Sequence, residues 1–313
     1  MLPDFLVAGV PKAGTSALHA ALAGHPQLFL PDVKEPKFFL SDGPPPRIGG
    51  PGDRQTYQEH VWRRSDYEAL FDPAPTGVLL GEATPFYLHD LAAHPRIAAL
   101  IPKAKIILVL RDPVDRAHSN WSHLWGAGLE PEADFLRAVA LEPRRIERGW
   151  AAFWHYTGLG RYGEQLRHLL GHFPREQILL LRYRDLRDDP GGTVDRVCGF
   201  LGVAPGTVDH IAPENVRRYV ADTPSNAVLR LLLRSGGRIG HRFPVPVRRT
   251  FSRPLLALLH RQHGQQSQRR PRVTPEQRAA LLPRFTADIE LLQEVAGESY
   301  ADWLSLHHAS NYQ

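Results

Sequence analysis

The stretch DFLVAGVPKAGTSALHAALAG, residues 4–24, decides how this chain is read. Residues 4–10 are an apolar run around Gly9, the pattern of a buried strand. Thr15 to Ala23 is helix-forming sequence, halted by Gly24-His25-Pro26. Between strand and helix lies Gly9-Val-Pro-Lys-Ala-Gly-Thr-Ser16. A loop that cradles phosphate needs free backbone N–H groups, glycines that permit close approach, and the positive end of a helix. This segment offers all three, with Lys12, Ala13, Gly14, Thr15 and Ser16 around the anion. Its glycines are spaced as in G-x-x-x-x-G-K-[ST], yet Thr15 stands where the lysine should be and the lysine lies upstream at Lys12. The loop therefore lacks the usual reach to the β/γ-phosphate of a nucleoside triphosphate.

Working outward, the chain alternates strand and helix patterns up to residue 202. Candidate strands are Gln27–Leu30, Val78–Gly81, Lys105–Leu110 (KIILVL) and Gln177–Tyr183. The second and third are nearly continuous apolar runs, as expected for parallel strands covered on both faces. Candidate helices occupy residues 57–71, 113–125, 131–148, 160–172 and 191–201, and residues 41–54 read as a Pro/Gly-rich loop. The expectation is an α/β fold: a doubly wound parallel sheet flanked by helices, with a mainly helical C-terminal extension. One domain of residues 1–313 is expected: an α/β core over 1–203, a helical and loop insertion over 204–264, and a late basic loop with a C-terminal helix over 265–313.

A second constellation follows the best strand: Leu110-Arg-Asp-Pro-Val-Asp-Arg-Ala-His-Ser119. Open α/β sheets bind ligands outside the carboxyl ends of their strands. Arg111 sits at such an end, and Ser119 lies two helical turns further on. An arginine with a hydroxyl suits a terminal phosphate without a metal. Asp112, next to Pro113, reads as a helix cap or an arginine-orienting residue.

Composition bounds the remainder. The chain has 313 residues, 42% hydrophobic and 23% charged, ordinary globular values that exclude wholesale disorder. A single cysteine, Cys198, excludes a disulfide framework and a cysteine-built zinc site, and reads as a core residue. No apolar run is long enough for a transmembrane helix, and no basic region precedes the first apolar run, so a cytoplasmic location is expected. Net charge is +5, but of 38 basic residues five are lysines and 33 arginines, a bias that weakens any argument from total charge.

The lysine-first loop Pro11-Lys12-Ala13-Gly14-Thr15-Ser16, together with Arg111-Asp112-Pro113 and Ser119, resembles the sulfotransferases, which use 3′-phosphoadenosine 5′-phosphosulfate (PAPS). Lys34-Glu-Pro-Lys-Phe-Phe39, Gly81-Glu-Ala-Thr-Pro-Phe-Tyr87, Gln177–Val203 and Arg269-Arg-Pro-Arg-Val-Thr-Pro275 resemble later segments of the carbohydrate, heparan-sulfate-type members. The resemblance covers most of residues 1–203 and 265–304; residues 204–264 match nothing usable. It implies that Lys12 and the helix N-terminus hold the 5′-phosphosulfate, that Arg111 and Ser119 hold the 3′-phosphate, and that Arg270 of the late loop joins them. It implies sulfuryl transfer, without a metal, to a hydroxyl of a carbohydrate or small-molecule acceptor. The steroid- and phenol-type members carry a histidine just after the third strand. Here Thr84-Pro85 stands near that place and His89 comes late, which disfavours that subtype.

By the same resemblance Glu35 is the catalytic base, with Glu82 at a neighbouring strand end as the second candidate. Glu35 also fits a surface carboxylate paired with Lys34 or Lys37. Tyr162 is a candidate nucleotide contact, and residues 150–156 (WAAFWHY) line the acceptor cleft or cover the sheet. His118 and His123 read as surface or half-buried, and Trp121 and Trp125 as core. A P-loop kinase or nucleotidase would need a magnesium aspartate and a lysine after Gly14, and neither is visible. A basic nucleic-acid-binding protein would need clustered arginines, but outside 248–249 and 269–272 they are scattered. No nucleic-acid partner is expected.

Overall fold

The structure is a computed structural model and describes residues 1–206, 224–239, 254–255 and 272–306. Five strands form one sheet: β1 Phe5–Gly9, β2 Leu28–Phe29, β3 Leu79–Ala83, β4 Lys105–Leu110 and β5 Ile178–Arg182. Their order is β2-β3-β1-β4-β5, and every pair is parallel. The chain winds from β1 to one edge and then, through β4, to the other. The order reverses between β1 and β4, and ligands of open α/β sheets bind at the carboxyl ends of such a pair. The phosphate-type loop leaves β1, and Arg111 follows β4.

The helices in chain order are α1 Thr15–Ala23, α2 Asp53–Tyr57, α3 Arg64–Ala69, α4 Ala93–Leu100, α5 Pro113–Gly126, α6 Phe135–Ala140 and α7 Glu142–Glu147. They continue as α8 Tyr162–Leu170, α9 Tyr183–Asp188, α10 Pro190–Leu201, α11 Pro224–Ile239, α12 Pro275–Leu281 and α13 Thr286–Ala296. Local chemistry sets several of their ends. Asp112 caps α5, accepting from the N–H groups of Val114 and Asp115 at 2.9 Å each, with Pro113 in the first turn. Thr274 and Gln277 form a capping box at α12. β1 is buried along its whole length, as are all residues of β4 but the first, so both need the helical layers on either face. The C-terminal helices belong to that cover. Gly163 lets α8 and α13 approach closely, since a Cβ there would lie 2.4 Å from the Asp288 carbonyl oxygen. The Asp288 carboxylate accepts from the N–H groups of Gly163 and Glu164 at 3.0 Å each.

The sequence reading differs from this in places. Residues 57–71 are not one helix: α3 is separated from α2, and α2 begins inside the stretch read as loop. Residues 58–60 close tight turns, and the chain then leaves the helical path, with Val61 N–H donating to the Pro36 carbonyl (2.8 Å) and the Trp62 indole to the Tyr57 carbonyl (2.9 Å). Residues 131–148 form two helices, with Pro143 in the first turn of the second. Helix α4 was not foreseen, and β5 gives way to α9 at Tyr183. Among the described residues no helix is long and apolar enough to cross a membrane.

Candidate active site

The loop after β1 ends in Gly14, whose φ of 83° opens α1 with no side-chain cap. The first-turn N–H groups and the positive helix end are left for an anion. Glycine is required twice over: the backbone is left-handed, and a Cβ would lie 3.0 Å from a Leu186 methyl and 3.1 Å from the Tyr183 ring. Ala13 and Thr15 are buried beside it. Lys12 also has a left-handed backbone, φ 72°. Its Nζ lies 3.3 Å from His123 Nδ1, and since an ammonium only donates, the imidazole nitrogen accepts. Ser16 Oγ accepts from Lys34 Nζ. The lysine displaced from its usual place is thus flanked by α5, and a second lysine reaches the loop from after β2.

Arg111 is tied to the same loop. Its Nη1 donates to the Lys12 carbonyl at 2.9 Å, and its guanidinium lies 4.7 Å from the Tyr183 ring centroid. The Tyr162 hydroxyl donates to the Arg111 carbonyl at 2.9 Å, so this tyrosine, the candidate nucleotide contact, braces the strand exit. Its own pKa is raised by burial. Asp112 is both cap and arginine partner: Arg278 of α12 bonds it at 2.8 and 3.2 Å and also donates to the carbonyls of Trp303 and Ser305. Ser119 lies on the buried side of α5, 2% exposed, one turn before His123. The structure therefore brings Lys12, Gly14 and Arg111 together at the helix end, while Ser119 lies buried on α5. Arg270 lies outside the described residues.

Glu35 stands beside this helix end in left-handed backbone, φ 59°, as does Lys37. Its carboxylate meets Lys34 and Lys37, each at 3.5 Å. The pairing read as its surface alternative is thus present, and one of those lysines is the one that touches Ser16. Lys37 Nζ sits 5.5 Å from the Phe86 ring centroid. Phe86 packs edge-on against Phe153, which packs edge-on against His123. The 150–156 segment accordingly divides: Phe153 faces this aromatic group, while Trp154 and Tyr156 are core. Glu82 is different in kind. It is 1% exposed and accepts from the Tyr67 hydroxyl (3.2 Å) and Thr84 Oγ1 (2.9 Å). Burial pushes its carboxyl up to about 7.

Sequence reasoning missed three groups. His123 is half-buried, as read, but its contact with Lys12 was missed; its spacing of four from Ser119 on one helix was the available signal. Arg278 gave no signal, because its partner is 166 positions away. Tyr183 was taken as the end of a strand and instead carries Arg111 on its ring. His118 is buried against Trp121 and Phe135, so the surface reading of that residue is corrected. Trp121, Trp125 and Cys198 are core, as read. Among the described residues no group of three or more His, Cys, Asp or Glu side chains is placed to hold a metal ion.

Residues 3–205 match the family model described as "Sulfotransferase family". The chain belongs to the sulfotransferase family. It is 34% identical over 211 residues to the human protein named bifunctional heparan sulfate N-deacetylase/N-sulfotransferase 3, covering 65% of this chain and 23% of that one. It is 31% identical over 205 residues to human heparan sulfate glucosamine 3-O-sulfotransferase 3B1, covering 64% and 46%. The matched region thus spans less than half the length of either relative. A solved sulfotransferase from Alicyclobacillus acidocaldarius superposes with a TM-score of 0.73 at 26% identity, covering 97% of this chain and all of that one.

Proposed function

We propose that this sulfotransferase takes its sulfuryl group from PAPS and delivers it, in line and without a metal, to a hydroxyl of a carbohydrate or small-molecule acceptor, with Glu35 as base. The observation that carries it is the joining of the uncapped α1 end, Lys12 and Arg111 through the Arg111–Lys12 bond, beside a carboxylate flanked by two lysines. The donor set fits a ligand with two anionic ends: N–H groups and an ammonium on one side, a guanidinium on the other. Carbohydrate is favoured as acceptor because the relatives' names specify heparan sulfate and glucosamine.

The chain's own groups divide the work. The α1 N–H groups and Lys12 hold the 5′ end and meet the negative charge that grows on the leaving phosphate oxygen as its bond to sulfur breaks. Arg111, with Ser119 and Arg270 as further contacts, anchors the 3′-phosphate and fixes the donor's direction. Glu35 takes the acceptor's hydroxyl proton as the new sulfur–oxygen bond forms. Lys34 and Lys37 hold the Glu35 carboxylate in place through their ion pairs. Glu82, enclosed by Tyr67 and Thr84, has no open face for an acceptor, which leaves Glu35 the better base.

The test is binding first, then turnover. 3′-Phosphoadenosine 5′-phosphate should raise the melting temperature without magnesium, because a ligand of the native state alone stabilises it. ATP with magnesium should do so less. Labelled PAPS offered with an unsulfated glucosamine–uronate oligosaccharide and a panel of small alcohols then reports the acceptor. Lys12→Ala should lose turnover more than bisphosphate affinity, and Arg111→Ala the reverse. Strong stabilisation by ATP–magnesium with none by the bisphosphate would refute the proposal.

A further inference from the structure

Among the described residues, side-chain-bearing positions with left-handed backbone are Lys12, Glu35 and Lys37. The last two flank Pro36 and carry the proposed base and one of its lysine partners. Such backbone is rarely adopted by residues other than glycine and persists only where the surroundings over-determine it. Three backbone groups of this segment are bonded by other parts of the chain. Glu35 N–H donates to the Ala83 carbonyl at 3.1 Å, and the Pro36 carbonyl accepts from Val61 N–H at 2.8 Å. Lys37 N–H has a side-chain acceptor, Thr84 Oγ1, at 3.2 Å.

That hydroxyl is itself oriented from behind. Thr84 donates its one proton to Glu82 Oε2 at 2.9 Å, which leaves its lone pairs for Lys37 N–H. Glu82 Oε1 is occupied by the Tyr67 hydroxyl at 3.2 Å. Tyr67 in turn stacks on Phe38, the next residue along, with centroids 4.3 Å apart and planes 11° from parallel. Thr84, Glu82 and Tyr67 are all buried. The network thus grips the segment at Lys37 through a hydrogen bond and at Phe38 through a ring.

We propose that Thr84, oriented by Glu82, is a positioning residue for Glu35: it fixes the left-handed turn that presents the base, without touching the reacting groups. This rests on Glu35 being the base. Bond removal at Thr84 frees the Lys37 amide, the turn relaxes, and the carboxylate leaves its place. Displacement of about 1 Å at a reacting group costs on the order of 10²-fold in rate.

The experiment compares Thr84→Val, which keeps shape and loses the hydroxyl, with Thr84→Ser, which keeps the hydroxyl. Thr84→Ala is the second variant should valine not be accommodated. Amide hydrogen exchange, which needs no acceptor, should quicken at Glu35, Lys37 and Phe38 by about five-fold or more in the valine variant and stay unchanged at residues 12–20. With the unsulfated glucosamine–uronate oligosaccharide as acceptor, kcat should fall at least about ten-fold with bisphosphate affinity unchanged, and serine should restore it. In a Glu35→Gln background the valine change should cost nothing further, since both act through one group. Wild-type exchange at Lys37, no rescue by serine, or losses that multiply in the double variant would overturn the inference while leaving Glu35 as base. Full turnover in Glu35→Gln alone would refute the base and, with it, the role given to Thr84.

Discussion

Replacing Arg278 with methionine should loosen the C-terminal helices from the sheet, and the structure sets the size of the effect. The guanidinium is 4% exposed at residue level and makes two bonds to Asp112, 2.8 and 3.2 Å, with further bonds to the carbonyls of Ser305 (2.7 Å) and Trp303 (2.6 Å). Removing one partner of a buried pair costs about 3–5 kcal/mol, because the other charge stays buried. Here the Asp112 carboxylate keeps the N–H groups of Val114 and Asp115, and Ser305 is exposed enough for water to replace its bond. The loss should therefore fall at the low end, about 3 kcal/mol. In the double variant with Asp112→Ser the hydroxyl still caps α5 and no charge is stranded. Its cost should undershoot the sum of the single changes by about 2 kcal/mol. Urea unfolding followed by the fluorescence of the six tryptophans measures all three. A single-variant loss under about 1 kcal/mol, or strict additivity, would refute the account of Asp112 and Arg278 as a mutually dependent pair.

Gly14→Ala should weaken 3′-phosphoadenosine 5′-phosphate binding more than ten-fold, as read by calorimetric titration, because its Cβ displaces Tyr183 and with it the Arg111 guanidinium. Unchanged affinity would contradict that coupling. Gly163→Ala should lower stability by about 2 kcal/mol or more, since the clash is with Asp288 backbone and not with a movable side-chain tip; an undiminished urea midpoint would count against it. For Glu82, burial raises the folded pKa from the ordinary 4.5 to about 7, so its contribution to stability is greatest below the unfolded value and is lost as pH rises toward 7. Glu82→Gln should therefore gain on wild type progressively across that window and hold a constant difference above it. Parallel stability curves for the two proteins would show that the carboxyl does not titrate there.

The sheet was legible because its signals are local and its strands are buried on both faces. KIILVL at 105–110 admits no amphipathic helix, and the Gly9–Ser16 loop needs a strand before it and a helix after it to make sense. The segments that were misread are those where distant contacts outweigh local preference. Residues 58–63 have helix-compatible sequence but are pulled open by the Val61–Pro36 bond, which no window around position 60 contains. The parts of the site differ in the same way. Lys12, Arg111 and Glu35 announce themselves by their neighbours in sequence. The groups that hold them, Tyr183 under Arg111 and Arg278 on Asp112, are brought in by the fold, and although Thr84 lies in a segment the resemblance covers, nothing local marks its bond to Lys37.

Charge shows the distinction most sharply. Total charge says little in a chain with 33 arginines. Of the five lysines, however, Lys12, Lys34 and Lys37 converge on the candidate site. A lysine differs from an arginine in being a compact point charge with freely rotating donors, not a rigid planar fork. Each of these contacts uses that property. Lys34 serves Ser16 Oγ and Glu35 from a single nitrogen, and Lys37 reaches Glu35 while lying over the Phe86 ring. The guanidinium appears instead at Arg111, where a flat group is flanked by the Tyr183 ring and the Lys12 carbonyl. In a composition so biased to arginine, the choice of cation at each place follows the geometry of what it must touch.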